Sequence, residues 1–435
     1  MTPGARIQAV IELLDQIADS TTPADRLVGN YFRARRYAGS KDRRTISDMV
    51  YEILRKKGEL TWQAGGGDSR MLALAHLTQA HKNNDAILKL FDGGQFAPSP
   101  LQTHERLDLD RMRSPAGEPP PWISGNYPEW LHMTLHRRFG KDLTLEMAAL
   151  QKRAPVDLRI NHLKSNLAEV TATLAADEIP VSPGRYIPTA LRLEDRRVMT
   201  THTLYRDGAI EIQDEGSQLV ALLCAARPGH QVIDYCAGAG GKSLALASAM
   251  ENKGQILAFD ISPRRLRPLR DRLRRAGVRN IQVHALGDPA ARSLLNERAG
   301  KADRVLLDVP CSGSGAWRRN PESKWRLTAE KLDEFTRIQS EILDQAAALV
   351  APSGMLIYAT CSILTEENED RIRAFLVEHN DFELLPVNEI WENVIGSPCP
   401  TSEPYMQLTP ARNSTDGFFV AVLVRKEIPR QGKTS

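Results

Sequence analysis

The feature that most constrains the fold is an alternation that begins near residue 213. "QVIDYCAGAGGKSLALASAM" (231–250) reads as a strand, a glycine loop and a helix. "GQILAFDISPRRLRPLRDRLRRAG" (254–277) reads as strand, turn and helix, and "DRVLLDVPCSGSG" (303–315) as a strand running into a loop. "GMLIYATCSI" (354–363) is a further strand before the helical "LTEENEDRIRAFLVEH", and "TDGFFVAVLVRK" (415–426) closes the series. Strands alternating with helices at this spacing build a parallel, doubly wound α/β sheet. Such sheets bind ligands beyond the carboxyl ends of their strands. Asp234 to Lys242, Asp260, Asp308 to Cys311 and Thr360 to Ser362 occupy those ends and are the candidates for chemistry.

The chain has 435 residues, which is too many for one ordinary core and predicts two or three domains. Residues 1 to about 95 read as helical. "RIQAVIELLDQIA" sets Ile7, Val10, Leu13, Leu14 and Ile17 on one face, and "RTISDMVYEILRKKGEL" repeats the period. Thr21 or Thr22 is expected to cap the helix that starts near Pro23. "SPAGEPPPWISGNYP" (114–128) is a Pro/Gly cluster and predicts a linker. Between about 130 and 212, strand-like "VDLRINHLK" and helical "NLAEVTATLAADEI" predict a small α+β module. The expected division is a helical part with its linker over 1–125, the module over 126–212, the α/β domain over 213–427 and a flexible tail over 428–435. A net charge of +3 says little about partners by itself. Five cysteines without CxxC spacing argue against a disulfide framework and against zinc, so no metal is expected. No signal-peptide core and no run of about 18 apolar residues occur. A cytoplasmic protein with reduced thiols is expected.

The loop "CAGAGGKS" (236–243) admits three readings. A Walker phosphate loop needs glycine where Cys236 stands, so that reading fails. A dinucleotide fingerprint matches at Gly238 and Gly240 but meets Ser243 at its third glycine. The third reading is a methyl-donor site, in which the backbone approaches the amino-acid part of S-adenosylmethionine and Asp260 holds the ribose hydroxyls. Against all three stands a plain tight turn with Asp260 as a helix cap.

Two cysteines follow two strand ends, Cys311 after Asp308-Val309-Pro310 and Cys361 after Ala359-Thr360. Beside a donor loop, two thiols suit methylation at C5 of a pyrimidine. That carbon is too poor a nucleophile until a thiolate adds to C6. An acid such as Asp308 can hold the N3/N4 edge of the base. A buried apolar role is the alternative for any single cysteine, and it is the preferred one for Cys224 and Cys399.

The motifs "DYCAGAGGKS", "DVPCSGSG", "RRNPESKW" and "YATCSILTEENE" together resemble the RNA 5-methylcytosine methyltransferases, the Fmu/Sun-type and NOL1/NOP2/Sun-related family, over about 130–427. The resemblance implies a Rossmann-like class I domain using S-adenosylmethionine. It implies Cys361 as the nucleophile and Cys311 as the thiol that helps resolve the adduct. It also implies donor contacts from Cys236, Ala237, Gly238, Ala239, Gly240, Gly241, Lys242, Asp260, Asp288 and Asp308. Members commonly carry Ala-Pro where this loop has Gly238-Ala239. The module resembles the family's RRM-like unit, and the N-terminal part more weakly resembles a NusB-like RNA-binding domain. The implied substrate is RNA, ribosomal before transfer RNA, for a monomeric enzyme without membrane or metal partners. A non-catalytic RNA-binding assembly factor is the reading from another class.

Three basic stretches are candidates for the RNA face. "RRNPESKWR" (318–326) brings cations beside Trp317 and Trp325, which could stack on an extruded base; a surface loop with one buried tryptophan is the alternative. "RRLRPLRDRLRR" (264–275) is a very basic helix, as readily explained by a solvated face. "YFRARRYAGSKDRR" (31–44) gathers further arginines in the helical part.

Overall fold

The computed structural model describes residues 1–427 apart from positions 116 and 196. The tail expected over 428–435 lies outside the described residues. By its contacts the chain divides into two compact units, one of residues 1–153 with 316–328 and one of 154–315 with 329–435.

The first unit is helical, as its periodicity predicts. Helices Pro3–Ala18, Ala24–Ala34, Ser40–Arg55, Lys57–Ala64 and Ser69–Ala80 bury Val10, Leu13, Ile46, Ile53, Leu60 and Leu74 in one core. Two local expectations differ. Pro23 itself occupies the N-cap of its helix with no side-chain cap from a threonine. The run over 44–60 breaks at Lys56, whose φ of −104° and ψ of 18° end one helix and start the next.

Residues 316–328 belong to this unit and overturn their reading as a base-stacking surface. Trp317 is buried, and the Trp325 indole N–H donates to the Leu54 carbonyl at 3.1 Å. Lys324 Nζ donates to the Arg55 carbonyl at 3.0 Å. The Arg326 guanidinium donates to the carbonyls of Ile17, at 2.8 Å, and Thr22, at 3.1 Å. Leu54, Arg55 and Ile17 lie in the last turns of helices, where carbonyls lack intrahelical partners and the dipole favours cations. Lys324, Trp325 and Arg326 therefore close helix ends.

The second unit holds two sheets. In the module, β1 (Asp157–Ile160), β2 (Val181–Pro183), β3 (Ala190–Leu193) and β4 (Ile210–Ile212) form an antiparallel sheet in the order β2-β3-β1-β4, backed by helix Leu167–Ala176. The larger sheet contains β5 (Gln231–Asp234), β6 (Gln255–Asp260), β7 (Ile281–Ala285), β8 (Ala302–Asp308), β9 (Val350–Thr360), β10 (Phe382–Leu385), β11 (Met406–Leu408) and β12 (Phe418–Arg425). Its order is β10-β12-β9-β8-β5-β6-β7, with β11 paired to β12. Strands β5 to β9 pair in parallel, and β12 lies antiparallel to β9. Leu356 to Thr360 are buried throughout, as continuous apolar runs in doubly covered sheets require. The doubly wound architecture and the α+β module expected from sequence are both present. Glu215 joins them: its buried carboxylate accepts the N–H groups of Arg185, Tyr186 and Ile187 at 2.7–3.0 Å. No helix among the described residues is long and apolar enough to cross a membrane.

Burial pulls Lys324 down to about 7, assisted by the Arg55 charge. In the unfolded chain a lysine titrates near 10.4. Below about pH 7 it is charged in both states, and its burial costs the fold in full. Between about pH 7 and 10 only the unfolded chain keeps the proton, so stability climbs with pH. Lys324→Met should therefore stabilise the protein more at pH 6 than at pH 9, by about 2 kcal/mol in urea unfolding. A gain equal at both values would contradict the account.

Candidate active site

The chain runs from β5 outward through β6 and β7, then returns to β8 on the other side of β5. The carboxyl ends of β5 and β8 thus flank the switch point, where open α/β sheets bind ligands. Asp234 ends β5 and Asp308 ends β8. Between them the glycine loop enters helix Gly241–Ala249. Gly240 holds φ +79°, and a Cβ there would lie 2.1 Å from Leu269 Cδ1, so this position admits only glycine. The Gly238 N–H donates to Asp260 Oδ2 at 3.0 Å, and the Ser262 N–H donates to Oδ1 at 2.8 Å. Asp260 therefore sits buried behind the loop and fixes its path.

The loop opens onto a cavity of about 210 Å³. Asp234, Lys242 and Asp308 line it, with Cys236, Ala237, Gly238, Ala239 and Gly241. Asp234 is buried, and desolvation pushes its carboxyl up to about 7 against a 2.6 Å hydrogen bond from Ser243 Oγ. Its other oxygen, Oδ1, is buried without a hydrogen-bond partner. Lys242 Nζ lies 2.6 Å from Asp308 Oδ2. Burial acts against the ammonium, but Asp308 outweighs it with help from Cys361 and Asp234, and Lys242 ends above the usual lysine range. Burial and the nearby carboxylates raise the Cys236 thiol well above its ordinary value.

Beyond β8 and β9 the two cysteines meet, with Cys311 Sγ 3.4 Å from Cys361 Sγ. The hydrogen bond with Cys361, together with burial, holds the Cys311 thiol well above its ordinary range. Glu367 fixes the pair. Its carboxylate is buried and accepts the Ser312 N–H at 2.7 Å and the Ser312 hydroxyl. Gln339 donates to the same carboxylate at 3.1 Å and to the Pro310 carbonyl at 3.0 Å. Ser314 and Ser362 share a 2.9 Å bond between hydroxyls, and the Gly315 N–H donates to the Cys361 carbonyl at 2.9 Å. Asn368 ties in Thr360 Oγ1 at 2.6 Å and the Ser362 carbonyl at 3.0 Å.

Most of the candidates thus converge on two adjoining clusters, the loop with Lys242 and Asp308 and the thiol pair. Asp260 stands behind the loop and does not line the cavity, and Asp288 joins neither cluster. It is exposed, caps helix Pro289–Glu297 by accepting the Ala290 N–H at 2.9 Å, and is not among the residues lining the cavity. Sequence reasoning gave no role to Glu367, Ser312, Gln339 or Asn368. Glu367 and Asn368 stand in "TEENE", which reads as an acidic helix start; only the fold turns them inward.

Comparison with known proteins now decides the family. A family model described as 16S rRNA methyltransferase RsmB/F matches residues 221–424, and the ferredoxin-like domain of RsmF/B-like methyltransferases matches 127–200. The probable ribosomal RNA small subunit methyltransferase B of Bacillus subtilis is 31% identical over 304 residues, covering 69% of this chain and 67% of that protein. The chain belongs to the RsmB/F family. Ribosomal RNA small subunit methyltransferase B of Shewanella oneidensis is also 31% identical, over 73% of this chain and 71% of that protein. The crystal structure of PH0851 superposes with a TM-score of 0.78 at 28% identity, covering 97% of this chain and 99% of that one. In this RsmB/F-family chain the family match spans both thiol loops and the glycine loop.

Glu367→Ala would leave the buried Ser312 N–H and hydroxyl without an acceptor. A loss of about 2–4 kcal/mol is expected in thermal or urea unfolding, since each orphaned buried group costs about 1–3 kcal/mol. Glu367→Gln, which keeps one carbonyl oxygen, should lose less; equal stability of all three proteins would show that the clamp contributes nothing.

Proposed function

We propose that this chain methylates C5 of a cytosine in ribosomal RNA with S-adenosylmethionine, through a covalent bond between Cys361 and C6 of the base. The observation that carries the proposal is the pair of thiols 3.4 Å apart beside the glycine-loop cavity. The residues present fit the donor. Gly238, Ala239 and Gly241 line the cavity, so the loop backbone faces a ligand there, and the orphaned Asp234 Oδ1 offers an acceptor suited to an ammonium group. Asp260 and Asp288, neither of which lines the cavity, are the proposed contacts for the ribose hydroxyls and for the part of the donor farther along the sheet edge. Bound there, S-adenosylmethionine supplies an electrophilic methyl group.

The protein's own part follows from its groups. The Cys361 thiolate adds to C6, and the electron pair of the C5=C6 bond moves to C5, which then takes the methyl group. Asp308 holds the N3/N4 edge of the base, and Lys242 neutralises its charge from the other side. Transfer of the C5 proton to a solvent base returns its electron pair to the ring, re-forms C5=C6 and expels the Cys361 sulfur as a thiolate. Cys311 takes part in that release: a thiol held protonated beside the attacking sulfur can return a proton to it. The described arrangement needs no metal. The proposed organisation is a helical RNA-holding part over 1–125, an RRM-like module over 126–212 and the catalytic domain over 213–427, acting as a monomer. The names of the relatives favour ribosomal over transfer RNA. A non-catalytic assembly factor would have no use for two matched thiols.

Cys361→Ala should abolish methyl transfer from labelled S-adenosylmethionine to RNA. Cys311→Ala should instead accumulate a protein–RNA adduct that survives denaturing electrophoresis. Normal turnover by Cys361→Ala, or adduct accumulation there rather than in Cys311→Ala, would overturn the assignment.

A further inference from the structure

Helix Pro263–Ala276 carries seven arginines and one acid, and the structure sorts them. Arg272 and Arg275 converge on the buried Glu211 of β4, with Arg272 Nη2 2.9 Å from Oε2 and Arg275 on Oε1. Arg275 also lies over the Tyr205 ring at 3.9 Å, and Arg272 donates to the Ala239 carbonyl at 2.7 Å. Arg265 stands 3.5 Å from Asp260. These three serve the fold. Arg264, Arg267, Arg270 and Arg274 are exposed, and among the described residues their side chains have no hydrogen-bond or ion-pair partner. Asp271 pairs with none of them.

This arrangement works against the helix. Arg264 lies in its first turn, at the positive end of the dipole, where a cation is unfavourable. Arg264, Arg267, Arg270 and Arg274 follow at spacings of three or four, and each such like-charge pair costs about 0.2–0.5 kcal/mol. A polyanion laid along the ridge would offset these terms. The helix is about 20 Å long at 1.5 Å per residue. Lys164, exposed and packed against Gly277, carries the charge past its C-terminal end. No aromatic side chain stands on the helix, so it lacks the aromatic stacking platform that single-strand binders add to a basic groove.

We infer that Arg264, Arg267, Arg270 and Arg274, continued by Lys164, bind the phosphate backbone of a base-paired segment of the substrate RNA. The inference rests on the RNA reading above and adds the surface and the form of RNA it takes. Binding through phosphates alone carries no base preference and is steeply salt dependent.

The test compares the wild-type chain with Arg264→Gln/Arg267→Gln/Arg274→Gln on an RNA hairpin and on a single strand of equal length, with affinity measured against salt. Loss of three phosphate contacts should flatten the slope of log K against log salt on the hairpin by about 2–3. The single strand should be affected less, and Arg→Lys at the same positions should restore the slope. Circular dichroism checks that the variants are folded. An unchanged hairpin slope would overturn the inference, as would an equal loss on the single strand. Methyl transfer by the wild-type chain is scored separately. Its absence beside a flattened slope in the variant would sink the cytosine reading and leave the ridge, whereas an active enzyme with an unchanged slope would sink the ridge alone.

Discussion

One buried carboxylate sets the separation of the two sulfurs. The loops after β8 and β9 belong to adjacent strands, but strand pairing stops at Asp308 and Ala359, short of both cysteines. Beyond that point Glu367 holds Ser312 by its N–H and its hydroxyl, and Gln339 braces the same carboxylate against Pro310. The serines between them complete a bridge in which the hydroxyls bond to one another and to backbone N–H groups. In a low-dielectric interior such a network is worth most when every member is satisfied and becomes a liability when one is removed. The 3.4 Å between Cys311 and Cys361 is therefore a property of the network as much as of the two residues.

The crevice concentrates three carboxylates at neighbouring strand ends, and each is settled by a different device. Asp260 is held by two backbone N–H groups and acts on the loop. Asp308 is neutralised by Lys242 at 2.6 Å. Asp234 has neither solution in full, and burial leaves it near 7 with one oxygen unpartnered. Three like charges in one small space cannot all be treated as solvated carboxylates, and pushing their environments apart is how one site gives similar groups different duties.

The large features of this fold were legible because they are local and periodic. The alternation from residue 213, the glycine loop and the cysteines behind two strands can each be read within a dozen residues. What was not legible depends on partners far away in the chain. "RRNPESKWR" looked like an RNA surface because cations beside tryptophans look the same whether they face phosphate or a carbonyl. Their partners, Ile17, Thr22, Leu54 and Arg55, lie more than 260 residues earlier. Glu367 was hidden for the same reason, since its bond to Ser312 spans 55 residues. The basic helix could not be divided into structural and free arginines without Glu211, which stands 61 residues before Arg272.

That last contact links the module to the chemistry. Glu211 lies on β4 and is buried under Arg272 and Arg275. Arg272 extends one nitrogen to Glu211 and another to the Ala239 carbonyl in the glycine loop. Its guanidinium is planar and its donors diverge at fixed angles, so the position of β4 and the path of the loop are set together. The glycines allow the loop its conformation, but they do not select it, because glycine is permissive in both directions. Selection comes from Asp260 on one side of the loop and, through Arg272, from Glu211 on the other. The small sheet is thus part of the scaffold of the cavity, and Gly238-Ala239 falls where two side chains from outside the loop hold the backbone.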